Sequence, residues 1–428
     1  MPPERDASNK GQRDASNKGQ RDASNKGQPD GSMTGGRDAL ITGIGLVSCL
    51  GEGEAAHWAA LDAPDGFRPV VDTARFAPWM VHPIVPLELD RQIPKRGDQR
   101  QMEPWQRIGV YAAGLALEAA GVKGDADLLG RTDMIVAAGG GERDYAADAA
   151  ILAALEAAAD PGVLLNERLL NDLRPTLFLA QLSNLLAGNI SIVHGVVGSS
   201  RTLMGEEASG ADAVHVACAR IAAGQGDLML VGGSYNAERP DVLLHYEMGG
   251  LNRKAPFAGV WARQALGGGL VLGSVGCFLV IESLAHAASR GAEPVARIAG
   301  VATDRCGRRP GQATANATRQ LATIAQEWDP EAAAVLSGAS GAPAATVEER
   351  AWLDGLNLPV RALATALGHS LEPAFPAAVA LAAMAVARGR LFAPLEADEA
   401  AMAGPLRQAL VTGWGHWRGE ALALVSHA

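Results

Sequence analysis

Aromatic residues are scarce, 4% of a chain of 428, and there are only four cysteines. A core with so few large rings must be close-packed from small side chains, and 51 glycines and abundant alanine supply them. Cys49, Cys218, Cys277 and Cys306 stand far apart, with no CxxC pair and no metal-ligand spacing. That pattern argues against a zinc site and against a disulfide framework, so no metal is expected. Positive charge is in deficit: 37 Lys and Arg against 47 Asp and Glu leave a net charge of -10. This is the wrong sign for a nucleic acid or an anionic membrane as partner. No apolar run reaches ~18 residues without a glycine or a charge, which excludes a membrane-spanning helix, and the polar N-terminus excludes a signal peptide. The expectation is a reduced, soluble, cytoplasmic protein.

What is present begins with a repeat. RDASNKGQ occurs at 5–12, 13–20 and 21–28, followed by Pro29-Asp30-Gly31-Ser32 and Met33. Without apolar anchors such a segment cannot offset its ordering entropy. Residues 1–32 are therefore read as an expression tag or duplicated leader, with Met33 as the natural start. From residue 37 onward short apolar runs alternate with Ala-rich helical stretches. Strands are expected at Ala39–Leu46, Thr132–Ala138, Ile190–His194, Asp227–Val231, Gly269–Glu282, Val295–Thr303, Ala333–Leu336, Gln408–Thr412 and Ala421–Val425. Helices are expected at Trp105–Ala120, Ala208–Ala223, Thr346–Asp354 and Pro373–Arg388. Strands separated by helices predict an α/β layered fold with buried sheets, in two similar halves at about 37–285 and 291–428.

Leu40–Ser48 (LITGIGLVS) has the outline of a dinucleotide fingerprint. Ser48 stands where the third small residue belongs, and Asp62 lies in a helix-like stretch rather than after a strand, so nucleotide binding is not expected. The segment Asn184–Gly233 is more telling. Its landmarks are Ala187-Gly188, Gly198-Ser199, Ser209-Gly210, Gly224, Asp227, Met229 and Gly232-Gly233. In order and without a gap they resemble the β-ketoacyl synthases of the thiolase superfamily. That family has an AG turn, a strand, a GP turn, a second strand ending in the nucleophilic cysteine, a helix, and GxADxMxxGG. Leu40–Cys49, Gln101–Ala113, Gly269–Ala287 and Gly368-His369 continue the likeness. The resemblance implies a thiolase-like fold, two βαβαβαββ halves in an α-β-α-β-α arrangement.

The register carries the functional expectation. The position of the nucleophilic cysteine holds Glu207. A synthase needs a thiolate at a helix N-terminus, and a carboxylate is a poor nucleophile toward a thioester. Cys218, inside the following helix, reads as a small buried hydrophobe. The first histidine motif falls on Gly338–Ala342, the family's lysine on Ala364 and the acid of its GEG motif on Ser274. The terminal gate and oxyanion-hole loop reads Trp414-Gly-His416-Trp417-Arg418. His369 alone persists and is read as structural, and His416 as a packing or capping residue.

Inactive paralogues of this kind resemble the chain length factors, the β subunits of type II polyketide synthases, which carry EQAGG where this chain has Glu206-Glu207-Ala208-Ser209-Gly210. Whether Glu207 is charged, paired or protonated by burial stays open. The resemblance implies pairing with an active ketosynthase through the strand Ser200–Gly205, including Arg201 and Leu203. It also implies a tunnel end closed by Thr176, Leu177 and Phe178, with Asp144 and Tyr145 as second candidates. Acyl groups would arrive on the phosphopantetheine of an acyl carrier protein, and no cofactor is expected. The competing expectations are a decarboxylating, initiation-type enzyme using Glu207, and a homodimeric scaffold or acyl-binding protein.

Overall fold

The structure, a computed structural model, describes residues 37–173, 181–417 and 419–428. The octapeptide repeats lie outside them. Ten principal strands follow one another as β1 (Ala39–Ser48), β2 (Asp133–Ala137), β3 (Ser200–Leu203), β4 (Leu228–Tyr235), β5 (Val275–Ser283), β6 (Ala296–Asp304), β7 (Ala333–Ser337), β8 (Val360–Ala362), β9 (Gln408–Trp414) and β10 (Glu420–Ser426). The helices that build the layers are α1 (Pro104–Ala119), α2 (Tyr145–Glu156), α3 (Pro161–Asn171), α4 (Leu185–His194), α5 (Glu207–Ala222), α6 (Gln312–Ile324), α7 (Pro343–Asp354), α8 (Ala364–Leu367) and α9 (Ala374–Ala387).

The strands form one hydrogen-bonded path, β8-β7-β9-β10-β6-β1-β5-β4-β2-β3, with Gly51–Glu52 as a short extra strand beside β1. The path is one pattern used twice. Within each half the second strand is parallel to the third and the fourth. The fifth is antiparallel to both the fourth and the first. The halves join where Ala39–Ile41 of β1 pair antiparallel with Ala296–Ile298 of β6.

Helices fill three layers around this path. α1 covers the outer face of β1, β5 and β4, with α4 beside it on β2 and β3, while α6 covers β6 and β10, with α7 beside it on β9. Between the halves run α5 and α9, packed on each other and on strands of both. A helix with sheets on both sides must be apolar all round. α9 is: from Phe375 to Val386 every residue is buried, most of them Ala or Val. The shortage of aromatics and surplus of alanine are thus the requirement of this middle layer, where small side chains let two sheets close on two helices.

The strand expected at Ile190–His194 is instead the end of α4. Leu186, Ile190 and His194 are buried at intervals of four, the helical repeat, and Gly195 closes the helix in the left-handed conformation (φ 78°). The run of β-branched residues is what makes it look like a strand. Ala187-Gly188, expected as a turn, lies within the same helix. Among the described residues no helix is long and apolar enough to cross a membrane.

The glycines of Leu40–Ser48 serve packing. A Cβ on Gly45 would stand 1.9 Å from the Ala112 carbonyl oxygen and 2.5 Å from the Ala116 nitrogen, so α1 rests directly on the β1 backbone. Gly45→Ala is therefore expected to lower stability by about 3 kcal/mol, because neither the strand nor the helix backbone can yield. Urea titration followed by circular dichroism checks this; an unchanged midpoint would refute the contact.

Candidate functional site

β3 ends at Leu203, and after three intervening residues the chain enters α5 at Glu207. Glu206 takes φ 53° and ψ -131°, a conformation that costs a non-glycine residue on the order of 1–3 kcal/mol. This turn presents Glu207 as the first residue of α5, where the helix dipole favours negative charge. Glu207 Oε1 accepts three hydrogen bonds: from His369 Nε2 at 3.1 Å, from His416 Nδ1 at 2.5 Å, and from the His416 backbone N–H at 3.2 Å. Burial alone would push this carboxyl up. The hydrogen bonds from His369 and His416 outweigh burial and hold it well below the ordinary carboxylate range.

Both histidines are rigidly placed. The His369 N–H donates to the Val271 carbonyl (2.8 Å) and its carbonyl accepts from Gly273 N–H (3.0 Å), which pins the residue after α8 to the main body. His416 lies in the β9–β10 loop, its ring flanked by Tyr246 and Trp417 at centroid distances of 5.6 and 5.0 Å. The loop is closed by Gly415 N–H on the Gly419 carbonyl (2.9 Å) and by Arg308, which donates to Gly415 O and pairs with buried Glu420. Neither histidine stands alone, as the sequence had suggested. The loop that resembles a gate and oxyanion-hole element delivers both a ring nitrogen and a backbone donor to Glu207. The space beside Glu207 measures about 10 Å³, room for about one water.

The other substituted positions are closed. The Gly338 N–H donates to Thr412 Oγ1 (3.1 Å), and a Cβ there would lie 2.5 Å from the Thr412 carbonyl oxygen, so β9 leaves no room for an imidazole. Ala364 opens α8 and is buried. Ser274 Oγ accepts from Ala237 N–H at 2.9 Å, a structural hydrogen bond. Trp414 packs its ring against Trp352 and stays outside the Glu207 cluster. No thiolate is available. Burial pushes the thiols of Cys49 and Cys218 up to about 12 and that of Cys306 up to about 11, and raises Cys277 as well.

Of the tunnel candidates, Thr176, Leu177 and Phe178 lie outside the described residues. Asp144 caps α2 by accepting from Ala147 N–H (3.2 Å). Tyr145 donates to Asp241 (2.5 Å), which also pairs with Arg239. Arg201 and Leu203 lie on β3, the last strand of the sheet path. On the far side of Glu206 a polar cavity of about 210 Å³ is lined by Gly139, Gly140, Tyr235, Arg239, Leu371 and Glu372.

Two buried carboxyls went unnoticed in the sequence, where nothing distinguishes them from surface acids. Glu372 lines the cavity just named. Glu349 Oε1 accepts from Ser337 Oγ (2.7 Å) and Thr412 Oγ1 (2.5 Å), while Oε2 has no partner among the described residues. Burial, only partly offset by these bonds, pushes Glu349 up to about 7. Burial raises Glu372 to about 7 also. Below the ordinary carboxylate pKa both states hold the proton. As the pH climbs toward 7 the unfolded chain releases it first, and stability falls. Glu349→Gln removes one such group. We expect it to melt at the parent's temperature at pH 5 and several degrees above it at pH 8, read by scanning fluorimetry; an equal gap at both would refute the assignment.

Residues 37–287 match the family model described as β-ketoacyl synthase, N-terminal domain. A curated relative, the 3-oxoacyl-[acyl-carrier-protein] synthase 2 of Rhizobium meliloti (strain 1021), is 26% identical over 285 residues. That match takes in 60% of this chain and 62% of the relative, so the chain spans about three-fifths of the length of the protein it matches. Among solved structures, the ishigamide ketosynthase/chain length factor superposes with a TM-score of 0.73 at 19% identity, covering 92% of this chain and 99% of that one. A type II polyketide synthase acyl carrier protein in complex with its ketosynthase bound to the hexaketide gives 0.69 at 17%, covering 92% and 100%. At these identities the superpositions show a shared thiolase-type fold and nothing finer.

Proposed function

Because the chain belongs to the β-ketoacyl synthase family, we propose that it is a non-catalytic ketosynthase-like subunit, of the chain length factor kind, which pairs with an active ketosynthase. The observation that carries this reading is the state of the nucleophile position. Glu207 is an ionised carboxylate with both neighbouring histidines and a backbone N–H already committed to it. Condensation needs a nucleophile that attacks a thioester and donors free to receive the oxyanion. Here the donors are spent on the protein's own carboxylate, and burial raises the pKa of every cysteine.

A partner surface supports the pairing. Among the described residues β3 ends the sheet path with Ser200 and Arg201 exposed, an edge that invites a further strand. Exposed apolar side chains stand in the chain segments on either side of it: Ile192 is 68% exposed, Val197 65% and Met204 64%. In this reading the partner's acyl tunnel runs toward this edge, and side chains of this chain limit its length. Arg201, Leu203, Asp144 and Tyr145 are the described candidates. Substrates reach the pair on an acyl carrier protein, as in the solved complex to which the fold is similar.

One observation favours a second reading, a decarboxylating, initiation-type enzyme. His416 supplies the second imidazole that Gly338 lacks. Against it stands the engagement of the donors: both imidazoles and the loop N–H are already taken by Glu207. Two experiments separate the readings. The complex and the isolated chain are incubated with acyl and malonyl carrier protein and examined by intact-protein mass spectrometry. The acyl group is expected on the partner's cysteine alone, with no carbon dioxide released by the isolated chain. A covalent acyl adduct on this chain, or decarboxylation without the partner, would overturn the proposal. Met204→Glu is expected to leave the fold intact by circular dichroism and to weaken the heterodimer at least ~10-fold in light-scattering chromatography, since it buries an unpaired charge at the sheet edge.

A further inference from the structure

We propose that Glu207, His369 and His416 form a binding site for one divalent transition-metal ion of the zinc class. The proposal concerns this chain alone and does not depend on what it pairs with. The three residues come from the start of α5, the segment after α8 and the β9–β10 loop, and one donor atom from each lies within 4.8 Å of the others. Two imidazoles and one carboxylate form a donor set suited to zinc, and to its first-row neighbours, over the hard cations magnesium and calcium, which take oxygen ligands.

The geometry is close to what an ion requires. Tetrahedral zinc with bonds of ~2.0–2.1 Å places its donor atoms ~3.3 Å apart. His369 Nε2 already stands 3.1 Å from Glu207 Oε1, and His416 Nδ1 stands 2.5 Å from the same oxygen. To face an ion, the two ring nitrogens release the protons they now donate to Glu207, and His416 draws back from the carboxylate. The two rings are set at 88°, with centroids 6.0 Å apart, so their nitrogens converge without stacking. Backbone contacts hold the ligands in place. The His416 backbone N–H holds the carboxylate, and His369 is fixed at its own N–H and carbonyl. His416 Nε2 has no partner among the described residues, so Nδ1 is the atom through which this buried ring is engaged. Three protein donors leave a fourth tetrahedral position for a water. The site uses no cysteine, which is why cysteine spacing gave no sign of it.

The test uses the full-length chain, with its partner if the two purify together. The protein is stripped with a chelator, equilibrated with zinc or cobalt(II) alone, desalted and analysed by inductively coupled plasma mass spectrometry. About one equivalent is expected to remain per chain. The cobalt form should show the strong visible absorption of a four-coordinate ion, abolished by adding zinc. His416→Ala and Glu207→Gln are each expected to weaken retention at least ~10-fold. Retention of no metal by the unmutated chain overturns the proposal, as does cobalt absorption of the weak six-coordinate kind. Variants that fold by circular dichroism yet hold metal as tightly as the parent overturn it too. The cobalt spectrum needs no substitution, so the proposal is decided even if a variant fails to fold.

Discussion

A carboxylate at the first turn of a buried helix can persist only where donors surround it. Glu207 has three N–H groups on one oxygen and the helix dipole behind it. Those donors come from two distant segments, so this cluster ties the start of α5 to the segment after α8 and to the β9–β10 loop. The surrounding architecture makes the tie possible. α5 lies between the halves, its N-terminus reaches the loops of the second, and the Arg308–Glu420 pair with Gly415 holds the His416 loop in place.

The same constraint explains why the site is stable as it stands. Here a side chain of the protein itself engages both imidazoles and the loop N–H. Closure extends beyond Glu207. The Thr412 carbonyl closes the place of the first histidine, and Ser274 bonds to the backbone of Ala237. Open features lie elsewhere, among them the β3 edge and the cavity beside Glu206.

Much of the fold was legible from local pattern. β1, β6, β7, β9 and β10 and helices α1, α5 and α9 fall within a few residues of where apolar spacing put them. The failure at Ile190–His194 is instructive: β-branched residues argue for a strand, but burial at 186, 190 and 194 follows the helical repeat, and that burial is decided by α1 and β2 packing on α4. Glu207, Gly338, Ala364, Ser274 and His369 could be named because motif spacing is a property of the chain; of these the structure brings His369 to Glu207. Glu349 and Glu372 were not, because an acidic residue in an amphipathic stretch looks the same whether its partner is water or a buried hydroxyl.

Sequence alone determined the α/β alternation, the alanine-rich core, and the absence of a thiol at the start of α5, since composition, period and residue identity are carried by neighbours along the chain. Only the tertiary structure decided that His416 joins His369 on Glu207, that β9 leaves no room at Gly338, and that among the described residues β3 ends the sheet. Each of these depends on the distance between segments far apart in the chain, and that distance is set by how the two halves pack on α5 and α9.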